Sequence, residues 1–355
     1  MRKRRSINAP PPAGKRADRR LHHRAPVQQR RQDEARLEEL LAAGGDDGVH
    51  IVCAPGPESA AATALLGKAL KRACVKLSGL TVVTHGERVD SPTNRAWLAD
   101  APALIFVGLG APRGVATEVP QLAIDDGDGE TLPARAFRLG ETLAALGDAS
   151  WCAAVGLVGG TLPHVLVERA LGRHQRADLI AVAELLDAAA RGPEPAFESL
   201  NAVEMLIAAA DPRRFLDSVP AEVLRRTQEL VRAELARATR IRPRPGFGVV
   251  VVEYDSACHL EDLVAERWRG LRPGTVVLVA NHGAGDGMVA ITARSAVPEA
   301  VEHRLARLDG ALGGEGTTLL DRDSWAQLRD RLGVAATPID RLDTGDAFEL
   351  SALLN

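Results

Sequence analysis

Short apolar runs alternating with Ala- and Leu-rich helical stretches constrain this chain more than any other feature. Val49 to Ala54 reads as a strand, Ala60 to Ala73 as a helix, and Leu80 to Thr84 as a strand. Arg95 to Asp100 reads as a helical turn, Leu104 to Val107 as a buried strand and Gln121 to Asp125 as another. Strands separated by helices cannot pair through tight hairpins, so this order predicts an α/β fold with a mostly parallel sheet covered on both faces. Helices are expected next at Arg135 to Leu146, Ala153 to Leu171 and Ala177 to Ala190.

Arg191-Gly192-Pro193-Glu194-Pro195 interrupts this pattern. Beyond it, Phe197 to Ala210 and Ala221 to Thr239 read as helices. The second is a long connector, with Val223, Leu224, Leu230, Val231 and Leu235 near one face. Pro243 and Pro245 end it. A second α/β unit follows, with strands at Gly248 to Glu253, Thr275 to Ala280 and Met288 to Ala293 and a helix at Leu260 to Arg269. Thr317 to Asn355 reads as a helix and a tail, with Trp325 and Leu328 packing. The expected division is a basic tail over 1–32, an α/β domain over 33–191, a helical connector over 192–242 and a smaller α/β domain over 243–355. The length of 355 residues allows each domain its own core.

No apolar run is long enough to span a bilayer, and none follows the basic N-terminus, so a cytoplasmic protein is expected. Cys53, Cys74, Cys152 and Cys258 are scattered without a Cys-x-x-Cys pair, which suggests reduced, mostly buried thiols. Charge is unevenly placed. Met1 to Arg31 carries a net +10, and the remainder of the chain carries −13. With Pro10, Pro11 and Pro12 inside it, the basic segment is expected to be disordered, either as a nucleic-acid arm or as a solvated leader.

Asp125-Asp126-Gly127-Asp128-Gly129-Glu130 is the densest carboxylate cluster, but its spacing fails a calcium loop and reads as a polar turn between strand and helix. Gly108-Leu109-Gly110-Ala111-Pro112-Arg113-Gly114 departs from a dinucleotide loop in the position of its third glycine. Gly283-Ala284-Gly285-Asp286-Gly287 reads as a hairpin turn. His85, His164, His259 and His282 are isolated in sequence.

Taken in order, these segments resemble the DHH phosphoesterase superfamily, most closely its RecJ-type exonuclease branch. His50 to Glu58 with Ala60 to Leu66 is similar to the family's strand, Asp-x-Asp-Gly loop and small-residue helix. Leu104 to Gly110 is similar to its strand ending in Val-Asp-x-Gly. Ala123 to Gly127 with Gly129 to Pro133 resembles the Asp-His-His segment and its continuation, and Val155 to Gly160 falls at Gly-Thr-x-Ala-Asp. Ser256 to Leu260, Val264 to Arg267, Val276 to Val279, Ala293 to Ser295 and Gly313 to Gly316 follow the pattern of the DHH-associated nucleic-acid-binding domain. The resemblance implies a two-domain DHH-like fold and a catalytic cleft holding two divalent metals.

The departures bear on chemistry. Pro55 and Pro57 stand near the first aspartate pair, Gly108 replaces the next aspartate, Asp126 and Gly127 replace both histidines, and Gly160 replaces the last aspartate. Asp125 alone survives as a vestigial ligand, and hard dications need several oxygen ligands. No resident cofactor is therefore expected. The resemblance then implies a catalytically inactivated RecJ-like protein, a nucleic-acid-binding or scaffold component in replication or repair. Its partner would be single-stranded nucleic acid or a replication or repair protein, not a membrane. Arg294, Ser295, His259, Gly313 and Gly314 are the candidate nucleic-acid contacts. Two alternatives stand beside this reading. One is an active Mn- or Mg-dependent phosphoesterase or single-strand exonuclease rebuilt on Asp125, Asp126, Asp128 and His85. The other is a pure protein-interaction module.

Overall fold

The computed structural model describes residues 15–335 other than 85–88, 90, 92–93, 95, 97, 111–118, 128, 159–163, 273, 286 and 298–316, with side chains from residue 29 onward. Four strands form the first sheet: β1 (Val49–Cys53), β2 (Leu77–Val82), β3 (Leu104–Val107) and β4 (Gln121–Ile124). Their order is β2-β1-β3-β4, and every pairing is parallel. After β2 the chain crosses to the other side of β1. The carboxyl ends of β1 and β3 therefore flank the point where strand order reverses, the place where open α/β sheets form a crevice.

Helix α1 (Lys15–Gly44) precedes the sheet. It starts within the segment expected to be disordered. Beyond Pro10–Pro12, Arg, Ala, Leu and Gln are good helix formers, and the charge count hides that propensity. Helix α2 (Pro57–Arg72) is the centre of the first core, buried along almost its whole length. Its alanines let other helices come close. A β-carbon on Gly156 would stand 2.9 Å from that of Ala61 and 2.8 Å from Pro133. Around α2 pack α3 (Leu132–Leu143), α4 (Ser150–Leu157), α6 (Arg176–Arg191) and α7 (Pro195–Ala208), with α5 (Val165–Leu171) beyond α4. The single helix expected from Ala153 to Leu171 is thus two helices. Gly159-Gly160 and Pro163 break the pattern between them. Lys68 of α2 donates to the carbonyls of Ile207 and Ala209 at 3.0 and 2.7 Å, satisfying the end of α7.

After α8 (Pro212–Leu216), helix α9 (Val219–Ala238) ties the two halves together. Ala221 and Leu224 belong to the first core, Val231 and Ala238 to the second. Val223 and Leu230, expected beside Leu224 and Val231, are 54% and 40% exposed. At about 100° per residue they sit a quarter turn or more from the Leu224–Val231–Leu235 line, which is the stripe that buries.

The second sheet holds β5 (Arg244–Pro245), β6 (Val249–Tyr254), β7 (Val276–Asn281), β8 (Met288–Arg294) and β9 (Thr317–Asp321) in that order. Strands β6 and β7 are parallel and joined by α10 (Glu261–Leu271), while the other pairs are antiparallel. Both faces are covered, which accounts for the unbroken apolar runs. Val251, Leu278 and Ile291 pack against Trp325 and Leu328 of α11 (Arg322–Arg331), whereas Val252, Tyr254 and Val279 pack against α9 and α10. Thr317 to Asp321, expected as the start of a helical extension, is an edge strand. Two threonines and two leucines suit that position.

Candidate functional site

A cleft of about 950 Å³ opens at the carboxyl ends of β1 and β3 and is closed on its far side by the second domain. Its floor is Ala54, Pro55, Gly56, Pro57, Glu58 and Ser59 after β1 and Gly108 after β3. Val155, Gly156 and Val158 of α4 and its exit add one wall, α6 contributes Ile180, Glu184 and Asp187, and α9 and α10 supply Gln228, Val231, Arg232, Leu235 and Leu263. The site therefore draws on both domains.

The interface that shapes it is polar and well fixed. Arg191, at the end of α6, grips Asp262 of α10 with both terminal nitrogens at 2.6 and 3.1 Å, and its Nε holds Asp187. The carbonyl of Arg191 accepts from the backbone N–H of His259 at 2.9 Å. Across the rim, Arg232 and Gln228 of α9 both donate to Glu184 of α6, at 2.9 and 3.1 Å.

Behind His259 lies a buried network that isolated motifs do not reveal. Asn281, at the end of β7, accepts from the N–H groups of Ser256 and Gly283. It donates to the carbonyl of Cys258 and, at 2.7 Å, to Glu261. Burial pushes the Glu261 carboxyl up to about 7, against the opposing hydrogen bond from Asn281. Farther into the second domain, Glu253 accepts from Trp325 at 2.8 Å and meets Arg244 and His282, with burial pushing the imidazole down to about 4. A sequence signal for both clusters exists: Glu253 and Asn281 are polar residues placed at the ends of otherwise apolar strands.

Asp125 and Asp126, after β4, each turn one oxygen to a backbone N–H. Asp125 Oδ1 accepts from the N–H of Gly110 at 2.9 Å, and Asp126 Oδ1 accepts from the N–H of Leu132 at 2.5 Å at the start of α3. The Asp125 to Glu130 turn links β4 to α3 as expected. Glu58 is exposed at the cleft floor, and desolvation first and the charge of Asp126 second hold its carboxyl above the ordinary value. A pair of metals fits this donor set poorly. Ala54, Pro55, Pro57, Gly108 and Gly156 offer no side-chain ligand, and Asp126 is committed to the helix start. Among the described residues no three His, Cys, Asp or Glu side chains converge as a metal-binding group.

The candidate nucleic-acid contacts are dispersed. His259 is buried beside the cleft wall. Arg294 pairs with Val277 at the opposite end of β7 from Asn281, so the length of the strand separates it from His259. Its Nη1 donates to the carbonyl of Ala293, and Ser295 is buried with its Oγ accepting from the N–H of Val297. Gly313 and Gly314, as well as Gly160, His85 and Asp128, lie outside the described residues. Cys53, Cys152 and Cys258 are buried and Cys74 is exposed. Burial, the leading cause for all three buried thiols, raises each to about 12. No described helix is long and apolar enough to cross a membrane.

No protein-family model matches the chain, and no curated protein does. Solved structures do. RecJ from Thermus thermophilus in complex with Mn2+ superposes with a TM-score of 0.56 at 16% identity, over 88% of this chain and 56% of that one. The chain thus spans little more than half the length of that protein. The DHH domain of a member of the s1p family of ribosomal proteins gives a TM-score of 0.60 at 12% identity, over 91% and 98%. An exonuclease RecJ bound to manganese gives 0.53 at 15%, over 87% and 95%. These likenesses show the fold: a two-domain α/β architecture like that of RecJ and of the DHH domain of the s1p-family protein.

Proposed function

We propose that the chain, which has a RecJ-like fold but Ala54, Pro55, Pro57 and Gly108 at a cleft floor whose one described carboxylate is Glu58, is a catalytically inactive member of that fold class that binds single-stranded nucleic acid or scaffolds its machinery. One of the structures it resembles is an exonuclease bound to manganese. The observation that carries the reading is the fate of the carboxylates. Asp125 and Asp126 each hold a backbone N–H with one oxygen, and the neighbouring loops present Pro55, Pro57 and Gly108. Among the described residues no cluster of oxygen ligands forms that would hold a metal to generate hydroxide or to clamp the two oxygens of a phosphodiester. Arg294, Ser295 and His259, with Gly313 and Gly314, remain its proposed contacts in the second domain, where phosphate contacts fix register. The structural spread of Arg294 and His259 favours a strand crossing the domain over a single pocket.

The test is cleavage of end-labelled single-stranded DNA and RNA with Mn2+ or Mg2+, beside salt-titrated binding of the same strands. Binding without cleavage supports the proposal, and the salt slope counts the phosphates contacted. Metal-dependent cleavage lost on Asp125→Ala sinks it and restores the enzyme reading.

A further inference from the structure

The described charges around the cleft have the wrong sign for a phosphate chain. Among its described lining residues Glu58, Glu184 and Asp187 are acidic and Arg232 alone is basic. Arg232 is paired with Glu184 at 2.9 Å. Arg191, behind the rim, is shared between Asp187 and Asp262, one guanidinium against two carboxylates. At the floor, the described charge that acts on Glu58 is that of Asp126, which is repulsive. The positive end of α2 is answered by Glu58 itself, in the first turn of that helix. A phosphate placed here would meet like charge, which works against binding rather than for it.

Between these charges the walls are apolar. Val158 at the exit of α4, Ile180 and Ala183 of α6, Leu235 of α9 and Leu263 of α10 line the cleft from both domains. All five are left partly open to solvent, Ile180 by 36%. Covering such surface is favourable in proportion to the area removed from water. A hydrated metal ion or a polyamine has nothing apolar to cover it with, and a sugar-phosphate chain brings the repelled charge. A polypeptide that alternates apolar and basic side chains supplies both parts, the apolar ones for the walls and a cation for Glu58. The volume, about 950 Å³, lies at the upper end of the range for sites that enclose a small ligand and has room for several side chains.

We propose that the cleft is a docking groove for a segment of a partner protein in which arginine or lysine alternates with large apolar side chains, its cation at Glu58 and its apolar side chains on the walls. The inference rests on the catalytically inactive reading above and deepens the scaffold half of it by naming the chemistry of the partner. Arg294 and Ser295, proposed above as contacts for a strand, take no part in it.

The test uses the full chain and the fluorescence anisotropy of labelled octapeptides at physiological salt. One peptide alternates leucine with arginine, and the controls alternate leucine with glutamine, leucine with glutamate, and serine with arginine. The leucine–arginine peptide should bind saturably and at least about tenfold more tightly than each control. Glu58→Gln, at an exposed position that leaves both cores unaltered, should weaken it by about three- to fivefold, the scale of one partly exposed ion pair, and Ile180→Ser by a similar factor. No saturable binding of the leucine–arginine peptide at millimolar concentration overturns the inference and leaves the inactive reading standing. Equal binding of the serine–arginine peptide, or affinity unchanged by Glu58→Gln, makes the attraction general to the acidic body of the chain and overturns the groove. Equal binding of the leucine–glutamine peptide overturns the basic partner. Displacement of the peptide by a single-stranded oligonucleotide that binds Glu58→Lys more tightly than the parent makes the cleft a nucleic-acid groove, which overturns this inference but not the inactive reading. Displacement by micromolar Mn2+, with metal-dependent cleavage of the oligonucleotide, removes the inactive reading itself and this inference with it.

Discussion

Removing the Asp33 carboxylate is the perturbation whose consequence the structure specifies most closely. Arg135 and Arg138, whose side chains are 14% and 18% exposed, converge on it from α3. In Asp33→Ala, Arg135 keeps only the carbonyl of Asp125, while Arg138 keeps Glu34 and Glu130. Breaking a buried pair by deleting one partner costs about 3–5 kcal/mol, and the surviving partners of Arg138 place this case near the lower end. The loss falls on α1, which then keeps Leu37 and Leu40 in the core and the more exposed Glu34–Arg138 and Arg30–Glu130 pairs. Amide hydrogen exchange of residues 37–41 should therefore accelerate by about a hundredfold, at tenfold per 1.4 kcal/mol, while exchange in α2 is unchanged. Asp33→Asn should fall between the two. The pH dependence has a definite sign. Burial raises the Asp33 carboxyl, but the hydrogen bonds and charge of Arg135, with Gln29 and Arg138, outweigh it and hold the group below its ordinary value. The clamp is fully present above the ordinary aspartate range and is lost as pH falls through the lowered folded-state value. Exchange in Asp33→Ala within about threefold of the parent at neutral pH would refute the reasoning, because the clamp would then contribute less than about 1 kcal/mol.

Glu261, whose carboxyl is raised to about 7, binds its proton more tightly folded than unfolded, so its contribution is present in mild acid and declines as pH rises through 7. Glu261→Gln should flatten the fall in urea-unfolding stability between pH 5 and 8, by an amount on the order of 3 kcal/mol. Gly108 has φ +69°, and a β-carbon there would stand 2.4 Å from Ser59 Oγ. Both Gly108→Ala and Gly108→Asp should destabilise by about 1–3 kcal/mol in thermal unfolding, and restoring the aspartate should not by itself restore metal-dependent cleavage. Lys68→Met should cost about 1–3 kcal/mol by stranding the carbonyls of Ile207 and Ala209, read as faster exchange at the end of α7. Arg191→Met should leave each core intact but raise protease cleavage near the α6–α7 junction, since the Asp262 fork crossing the domains is lost.

The parallel sheet was legible because β1 and β3 are short apolar runs and a helix follows β1, and β6 to β8 because both faces of their sheet are covered. Strand β9 was not, since Thr317 to Asp321 is an edge strand with a polar start and no alternation to separate it from the helix that follows. The burying stripe of α9 was blurred by Val223 and Leu230, apolar residues on its exposed side. At the site, the absence of side-chain ligands at Pro55, Pro57 and Gly108 could be read directly, because proline and glycine carry none. What Asp125 and Asp126 do instead could not, because it depends on the N–H groups of Gly110 and Leu132 being turned toward them. The Asp33 clamp was equally hidden. Its partners are 102 and 105 residues away, and one carboxylate inside a helix rich in charges carries no periodic signal.

Calorimetric titration of the full chain with Mn2+ tests the central claim most directly. The account predicts no saturable binding in the micromolar range and no change on Asp125→Ala or Asp126→Ala, because those carboxylates serve the backbone after β3 and at the start of α3. Micromolar affinity that disappears in either variant would contradict it, and would mean that the cleft holds metal through the residues assigned here to the fold.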